Sequence, residues 1–574
     1  MELTGAQILC ESLLREGVEV VFGIPGGAIL PLYDTLPQYP RLRHILMRHE
    51  QCAAHAADGY ARALGGIGPE ARAGRVGRVG VCFATSGPGA TNLVTGIANA
   101  WMDSIPIVAI TGQVTRSLIG RDGFQEADIT GITLPVTKHN YLVLHAADLS
   151  RVVREAFHIA RSGRPGPVLI DIPRDVFQER SEFLWPEQVE PRGHRPRPRL
   201  DSQEVEKAAK LVAQAQRPLI LAGHGVILAQ AYGELLELAE RAQTPVITTL
   251  LGIGSFPSSH ALHLGMPGMH GMYWNNIAIS EADLLIAIGM RFDDRITGRL
   301  HDFAAKARIV HIDVDPAEVG KNVRPDAAPL GDVKEVLQAL NAAVAPQEHR
   351  EWLAYIQELQ EKHPYYVPDG AELLPQYVIQ KVYEASGDDF YAVTGVGQHQ
   401  MWAAQLYRSD RPGRFITSGG LGTMGFCLPA SMGAQFAAPG SLVWAIDGDG
   451  SFQMTLQDLA TIAEHELPIK FAIMDNGYLG MVRQWQTLFY KDNRVATGLR
   501  NPDFVKIAEA YGLLGLRVTT RHQVEEAIAT ALAHPGAAII DFRVKEDENC
   551  FPMVPPGAAL HETIDLPRLE EAHL

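Results

Sequence analysis

The stretch Ser441-Leu-Val-Trp-Ala-Ile-Asp-Gly-Asp-Gly-Ser-Phe452, followed by Ile473-Met-Asp-Asn-Gly-Tyr478, decides how this chain folds. The first part is a short apolar run entering a Gly-Asp-Gly turn that opens a helix. The second closes another apolar run, Ile469-Lys-Phe-Ala-Ile-Met474, on Asp475-Asn476. One strand–helix–strand crossover separates Asp449 from Asn476, so two parallel strands lying side by side can aim both oxygens at one hard cation. Gly448 and Gly450 allow close backbone approach, and the helix start after them can receive a phosphate. A lone Gly-Asp-Gly says little. Between a strand and a helix, with a strand-end Asn one crossover away, it reads as a magnesium–diphosphate site.

Outward from that stretch, short apolar runs alternate with helical patterns, the sequence form of stacked βαβ units. Early strands are expected at Val20-Val-Phe-Gly23, Val79-Gly-Val-Cys-Phe-Ala84, Ile107-Val-Ala-Ile110 and Pro167-Val-Leu-Ile-Asp171. A middle set comprises Leu219-Ile-Leu-Ala222, Pro245-Val-Ile-Thr248, Leu284-Leu-Ile-Ala-Ile288 and Arg308-Ile-Val-His-Ile312. A third set adds Phe390-Tyr-Ala-Val393 and Ala538-Ile-Ile-Asp541 to the two strands already quoted. The Pro/Arg-rich stretch 191–199 reads as a linker, and the charged helix near 348–362 marks a second boundary. The expected fold is α/β, with three doubly wound parallel-sheet domains at 1–185, 200–345 and 370–574. The Gly/Arg-rich segment 65–80 reads as a surface loop.

Composition bounds the function. The 574 residues exceed one core, and 46% hydrophobic with 20% charged residues describes an ordinary globular chain. A net charge of −16 argues against a nucleic-acid surface, although a small anion's site can still be locally positive. Cys10, Cys52, Cys82, Cys427 and Cys550 are isolated, show no metal spacing and read as reduced thiols of a cytoplasmic protein. Residues 1–30 carry Glu2, Glu11, Arg15, Glu16 and Glu19, and no apolar run is long enough for a bilayer, so neither signal peptide nor membrane anchor is expected.

Further segments sharpen the reading. Gly23-Ile-Pro-Gly-Gly-Ala-Ile-Leu30, Arg48-His-Glu50, Ser86-Gly-Pro-Gly-Ala-Thr-Asn92, Thr137-Lys-His-Asn140, Arg291-Phe-Asp-Asp-Arg-Ile-Thr-Gly298, Gly480-Met-Val-Arg-Gln-Trp485 and Phe551-Pro-Met-Val-Pro-Pro-Gly557 stand along the chain. With the pair Asp449 and Asn476, nearly all of the sequence resembles the acetolactate (acetohydroxyacid) synthase catalytic large subunits, a family of thiamine-diphosphate (ThDP) enzymes. The resemblance implies pyrimidine-binding, central FAD-binding and diphosphate-binding domains. By position alone, Glu50 could simply cap the alanine-rich helix it opens. The resemblance makes it the acid that bonds N1′ of the aminopyrimidine and promotes ylide formation, a role that suits a desolvated carboxyl.

The resemblance assigns further residues. Asp449, Asn476 and the Tyr478 carbonyl would hold Mg²⁺. Val396, Gln398, His399, Gly450, Ser451, Gly480 and Met481 would contact ThDP, while Gly422 and Met424 would take its amino group and bend it. Asp475 stands where the family usually has Asn, which adds a carboxylate without removing a ligand. FAD would meet Arg164, Gly223, Gly225, Thr249, Leu250, His270, Arg291, Asp293, Arg295, Asp313 and Asp332, in a structural role because the carboligation has no net redox change. Gly27, Gln113, Phe124, Gln125, Arg174, Met481 and Trp485 would wall the substrate site. Arg174 replaces a frequent Lys and keeps the charge with different geometry; Thr115 replaces the usual Pro of plant relatives and leaves inhibitor sensitivity open.

The implied reaction decarboxylates pyruvate and joins the two-carbon unit to pyruvate or 2-ketobutyrate, toward valine, leucine and isoleucine. The resemblance also implies at least a homodimer, because Glu50 and Asp449 would serve one cofactor from different subunits. A tetramer and a regulatory small subunit stay open. Two rival readings remain: a pyruvate oxidase-like enzyme using the same organic cofactors, and a non-catalytic scaffolding relative. Intact Glu50, Asp449 and Asn476 speak against the second, and Glu50 against a glyoxylate carboligase.

Overall fold

The computed structural model describes residues 1–63, 78–194 and 198–566. Most of the 65–80 segment read as a surface loop, and part of the 191–199 linker, lie outside those residues. The apolar runs are parallel strands, covered by helices on both faces, which is why they read as unbroken hydrophobic stretches rather than alternating ones. The first sheet runs Arg43–Leu46, Val20–Gly23, Gly80–Ala84, Ile107–Gln113, Val168–Pro173, His139–Leu142, with every neighbour parallel. The third runs Phe415–Ile416, Phe390–Thr394, Leu442–Gly448, Lys470–Asp475, Ala538–Arg543, Leu514–Val518, also parallel. Both sheets therefore share one connectivity. The middle sheet differs: His263–Gly265, Val246–Thr248, Pro218–Ala222, Leu284–Ile288, Arg308–Ile312, the order of a dinucleotide-binding fold with its switch point between the third and fourth of these.

Differences from the sequence reading fall at the sheet margins. His139–Leu142, His263–Gly265, Phe415–Ile416 and Leu514–Val518 are strands that hydrophobic runs do not announce. All four are edge strands, and an edge strand needs only one covered face and one paired side. Ile107–Gln113 runs three residues past the expected end, because all seven residues are buried against Val168–Pro173. The helix after Gly-Asp-Gly is a single turn, Asp449–Phe452, so its dipole contributes little and the individual backbone N–H groups matter more. Among the described residues, no helix is long and apolar enough to cross a membrane.

The first and third domains share one core. Helix Glu50–Arg62 lies against helix Cys427–Ala437, and Phe22, Ala53, Ala56, Phe426, Leu428 and Met432 belong to a single buried cluster. Small residues make the contact possible. A Cβ on Gly59 would strike the backbone of Ala430, and one on Gly433 would strike the backbone of Ala56 and the Tyr60 nitrogen, 2.6 Å away. Helix Arg350–Lys362 packs Trp352 and Ile356 onto the middle sheet, and the Trp352 indole N–H donates to the Pro218 carbonyl at 2.9 Å.

The helix–helix contact yields the first prediction. Gly433→Val overpacks it and should destabilise the protein by about 1–3 kcal/mol or more. Gly440→Ala, with nothing within 4 Å of the added carbon, should change stability by less than about 0.5 kcal/mol. Denaturant midpoints of the two variants check the difference; equal midpoints would mean the helices can separate without cost.

Candidate active site

Strands Leu442–Gly448 and Lys470–Asp475 pair directly, with Gly448 opposite Met474, so Asp449 and Asn476 emerge together at the carboxyl edge of the third sheet. Asp449 is buried. Its Oδ2 accepts from the Gly477 N–H at 3.0 Å and from Asn501 Nδ2 at 2.6 Å. Asn501 also donates to Asp475 Oδ1 at 2.8 Å, bridging the two carboxylates. Burial first, and the neighbouring Asp475 charge second, hold the Asp449 carboxyl above the usual range, while Asn501 works against them. Arg543 offsets the extra acid, with Nη1 2.9 Å from Asp475 Oδ2. Among the described residues no three His, Cys, Asp or Glu form a metal cluster. A hard cation at this edge would instead find mixed oxygens: one carboxylate, the Asn476 amide and the Tyr478 carbonyl.

Around this edge a cavity of about 70 Å³ is lined by Val396, Gln398, His399, Met424, Gly450, Ser451, Gly480 and Met481, all of them expected thiamine-diphosphate contacts. Two of their side chains already have duties. Gln398 Nε2 donates to Gln484 Oε1 at 2.7 Å and to the Glu548 carbonyl at 2.9 Å, and the Ser451 hydroxyl accepts from the Gly425 N–H at 3.0 Å. What Gly450 and Gly480 offer a ligand is therefore backbone. A Cβ on Gly480 would lie 2.8 Å from Asn476 Nδ2, and one on Gly450 2.8 Å from Leu479.

A far larger cavity, 1030 Å³, opens where the three domains meet. Arg164, Gly225, Thr249, Leu250, His270, Arg291, Asp293, Arg295, Asp313 and Asp332 line it together with Gly422, Met424, Met481 and Trp485. Gly223 does not line it. Its N–H donates to the Ile288 carbonyl at 2.8 Å and shapes the turn at the switch point, while Gly225 donates to Gly289 at 3.0 Å. Burial lowers His270 to about 4, so its ring is neutral at physiological pH. Burial likewise raises Asp313 to about 6. The Arg295 guanidinium stands 5.7 Å over the Trp485 ring, setting a cation beside an apolar wall. Apolar lining residues such as Leu250, Leu251 and Met266, a glycine-lined turn where a Cβ on Gly225 would meet Gly289 at 2.6 Å, and the acids Asp313 and Asp332 fit a long, flat cofactor with hydroxyls.

Glu50, Gly27, Gln113, Phe124 and Arg174 line neither cavity. They gather instead at the carboxyl edge of the first sheet, following or ending strands Arg43–Leu46, Val20–Gly23, Ile107–Gln113 and Val168–Pro173; Phe124 lies in the loop after Gln113. Glu50 opens its helix, is 9% exposed, and accepts from Asn92 Nδ2 at 2.9 Å. Phe124 is 89% exposed, and Gln125 beside it is left-handed, its carbonyl only 2.7 Å from where a Cβ on Gly87 would stand. Gln113 is fully engaged: Nε2 donates to Asp171 Oδ2 at 2.9 Å and to the Ala127 carbonyl at 2.8 Å, and Oε1 accepts from Val114 N–H. It braces the Phe124 loop and has no hydrogen left for a substrate. Arg174 is exposed at the start of a short helix.

Sequence reasoning missed Asn501, Arg543 and Asp171. Asn501 and Arg543 meet the site only through long-range folding; Asp171, at the end of an expected strand, was legible as a strand-end acid.

Comparison with known proteins agrees with this geometry. Family models described as the thiamine pyrophosphate enzyme N-terminal TPP binding domain, central domain and C-terminal TPP binding domain match residues 3–132, 205–340 and 395–542. An acetolactate synthase large subunit of Mycobacterium tuberculosis is 52% identical over 575 residues, covering 98% of this chain and 91% of the relative. That of Corynebacterium glutamicum is 49% identical, covering 97% and 89%, and that of Porphyra purpurea 46%, covering 98% and 96%. With three matching domain models and this identity over nearly full length, the chain belongs to the thiamine pyrophosphate enzymes and, among them, to the acetolactate synthase large subunits.

Proposed function

We propose that the chain catalyses decarboxylation of pyruvate and transfer of the two-carbon unit to pyruvate or 2-ketobutyrate, giving 2-acetolactate or 2-aceto-2-hydroxybutyrate. The observation that carries this reading is helix Gly480–Phe489. Its first turn borders the Asp449–Asn476 edge, and its Met481 and Trp485 face the large cavity beside Arg295. A 2-keto acid needs a cation for its carboxylate and an apolar wall for its alkyl end, and Arg295 and Trp485 supply both in the cavity that Met481 joins to the cofactor edge.

Bound thiamine diphosphate supplies the nucleophilic carbon and the electron sink. The chain's residues bind and orient it. Asp449, Asn476 and the Tyr478 carbonyl would hold Mg²⁺, whose charge balances the buried acids; the backbone of Gly450 and Gly480 would receive phosphate oxygens. Met424 would support the ring between the two cofactor ends, and Glu50 would share a proton with the aminopyrimidine. The large cavity would take FAD, with Asp313 and Asp332 at its hydroxyls. Asp449 lines the small cavity and Glu50 lines neither, so the two edges do not meet over one cavity within a single chain, which supports a homodimer whose sites each combine two copies. The name "large subunit" of the relatives supports a regulatory small subunit, and the buried unpaired thiols support a cytoplasmic location.

The test of the whole reading is incubation with pyruvate, thiamine diphosphate, Mg²⁺ and FAD: acetolactate should form, whereas acetate with stoichiometric flavin reduction would assign an oxidase instead. Two variants test single residues. Glu50→Gln should slow C2–H exchange of bound thiamine diphosphate by roughly 10²–10⁴-fold, read by NMR, with little loss of binding; wild-type exchange would remove Glu50 from the proton path. Trp485→Leu should lower the preference for 2-ketobutyrate over pyruvate by roughly 10–200-fold, the worth of one methylene in an apolar pocket. A competition assay gives the product ratio, and an unchanged ratio would make Trp485 a packing residue.

A further inference from the structure

Asp103 ends helix Val94–Asp103, where the helix dipole disfavours a carboxylate. It is 1% exposed, so local physics argues twice against an acid there. Tertiary contacts reverse the balance. Oδ2 accepts from Arg62 Nη2 at 2.7 Å and from the Gly419 N–H at 3.0 Å, and Oδ1 accepts from the Gly420 N–H at 2.6 Å. Arg62 is in turn bonded to Asp58 at 2.5 Å, and its Nη1 donates to the Thr417 carbonyl at 2.8 Å. One buried acid and its arginine thus grip the backbone of segment 417–420, which has no helix or strand to satisfy its own N–H groups.

That segment sits at the junction of the three domains. A Cβ on Gly420 would meet Met102 at 2.9 Å and the Arg291 guanidinium at 3.0 Å; one on Gly419 would meet Leu251 at 2.8 Å. Arg291 and Leu251 line the large cavity from the middle domain, and Gly422 and Met424 follow a few residues on. The His224 ring also donates to the Asp103 carbonyl, at 3.0 Å. Beyond the clamp the loop stays braced: Asn99 Oδ1 accepts from the Ser418 and Thr423 hydroxyls at 2.6 and 3.2 Å, and the Thr423 N–H donates to Ser418 Oγ at 2.8 Å.

We propose that Asp103 is a positioning residue for thiamine diphosphate: by fixing the Gly419 and Gly420 amides from the first domain, it sets where Gly422 and Met424 stand. The proposal rests on the reading of Gly422 and Met424 as cofactor contacts. Asp103 touches no reacting atom and acts through the loop alone.

Asp103→Asn keeps the shape but turns an N–H₂ toward a donor, whichever way the amide is flipped. In the full chain with FAD and Mg²⁺, titration with thiamine diphosphate should give a Kd raised at least about tenfold, the worth of a charged hydrogen bond. Amide exchange at residues 419–420, measured without thiamine diphosphate, should quicken. Asp103→Ser, which leaves room for a water to accept both amides, should lose less and guards against a variant that fails to fold. Glu16→Gln is the stability control, since the Glu16 carboxylate is 1% exposed and pairs with Arg154 and Arg161 rather than with the loop amides. It should keep the wild-type Kd even at an equal loss of thermal stability. An Asp103→Asn Kd equal to that of Glu16→Gln, or unchanged exchange at 419–420, would overturn the proposal. Failure of the wild-type chain to bind thiamine diphosphate would instead overturn the cofactor reading, leaving the exchange measurement to judge the clamp.

Discussion

The contact between helix Glu50–Arg62 and helix Cys427–Ala437 is the constraint on which the rest of this structure depends. Gly59 and Gly433 let the two backbones approach as side chains larger than hydrogen would not permit. This close packing merges the cores of the first and third domains. Both sheets share one strand order, so each presents a carboxyl edge, and the shared core fixes how the two edges are directed. Glu50 stands at the start of the packed helix; Asp449 follows a strand whose Val443 and Ala445 lie in the same merged cluster. Moving either helix would move both carboxyl edges.

Charge is placed on this frame at sites where burial makes it expensive, so each buried acid carries its own compensation. Asp58 and Asp103 share Arg62, a guanidinium planar and multidentate enough to serve both carboxylates and a carbonyl at once. Breaking such a pair leaves an uncompensated buried charge, at a cost of about 3–5 kcal/mol, although the intact pair need not exceed a hydrophobic replacement in stability. Asp475 and Asp541 are compensated by Arg543 and Arg517 at the edge of the third sheet. Asp449 is the least compensated of these acids, with only amide donors on it. A bound cation would supply the compensation that Asp449 lacks.

The middle domain differs in kind. Its switch-point turns, at Gly223–Gly225 and Gly289, bring two backbones into contact and open the large cavity toward the other two domains. Its walls come from all three domains, so a ligand that filled it would tie them together, a physical role open to a flavin that does no redox work.

The sequence by itself determined the strands buried on both faces, the pairing of Asp449 with Asn476 across one crossover, and the family to which the chain belongs. Those features are local or have fixed spacing: an unbroken apolar run reports burial, and a crossover sets which strand ends are neighbours. The edge strands were not legible, because half-exposed strands of two to five residues lack a hydrophobic signature. Only the tertiary structure decided that Gln113 spends its amide on Asp171 and Ala127, that Asn501 bridges two acids, and that Asp103 holds a loop more than three hundred positions away. Hydrogen bonds of that kind depend on where distant backbones come to rest, and that is set by the packing of whole domains, with no trace in residue spacing.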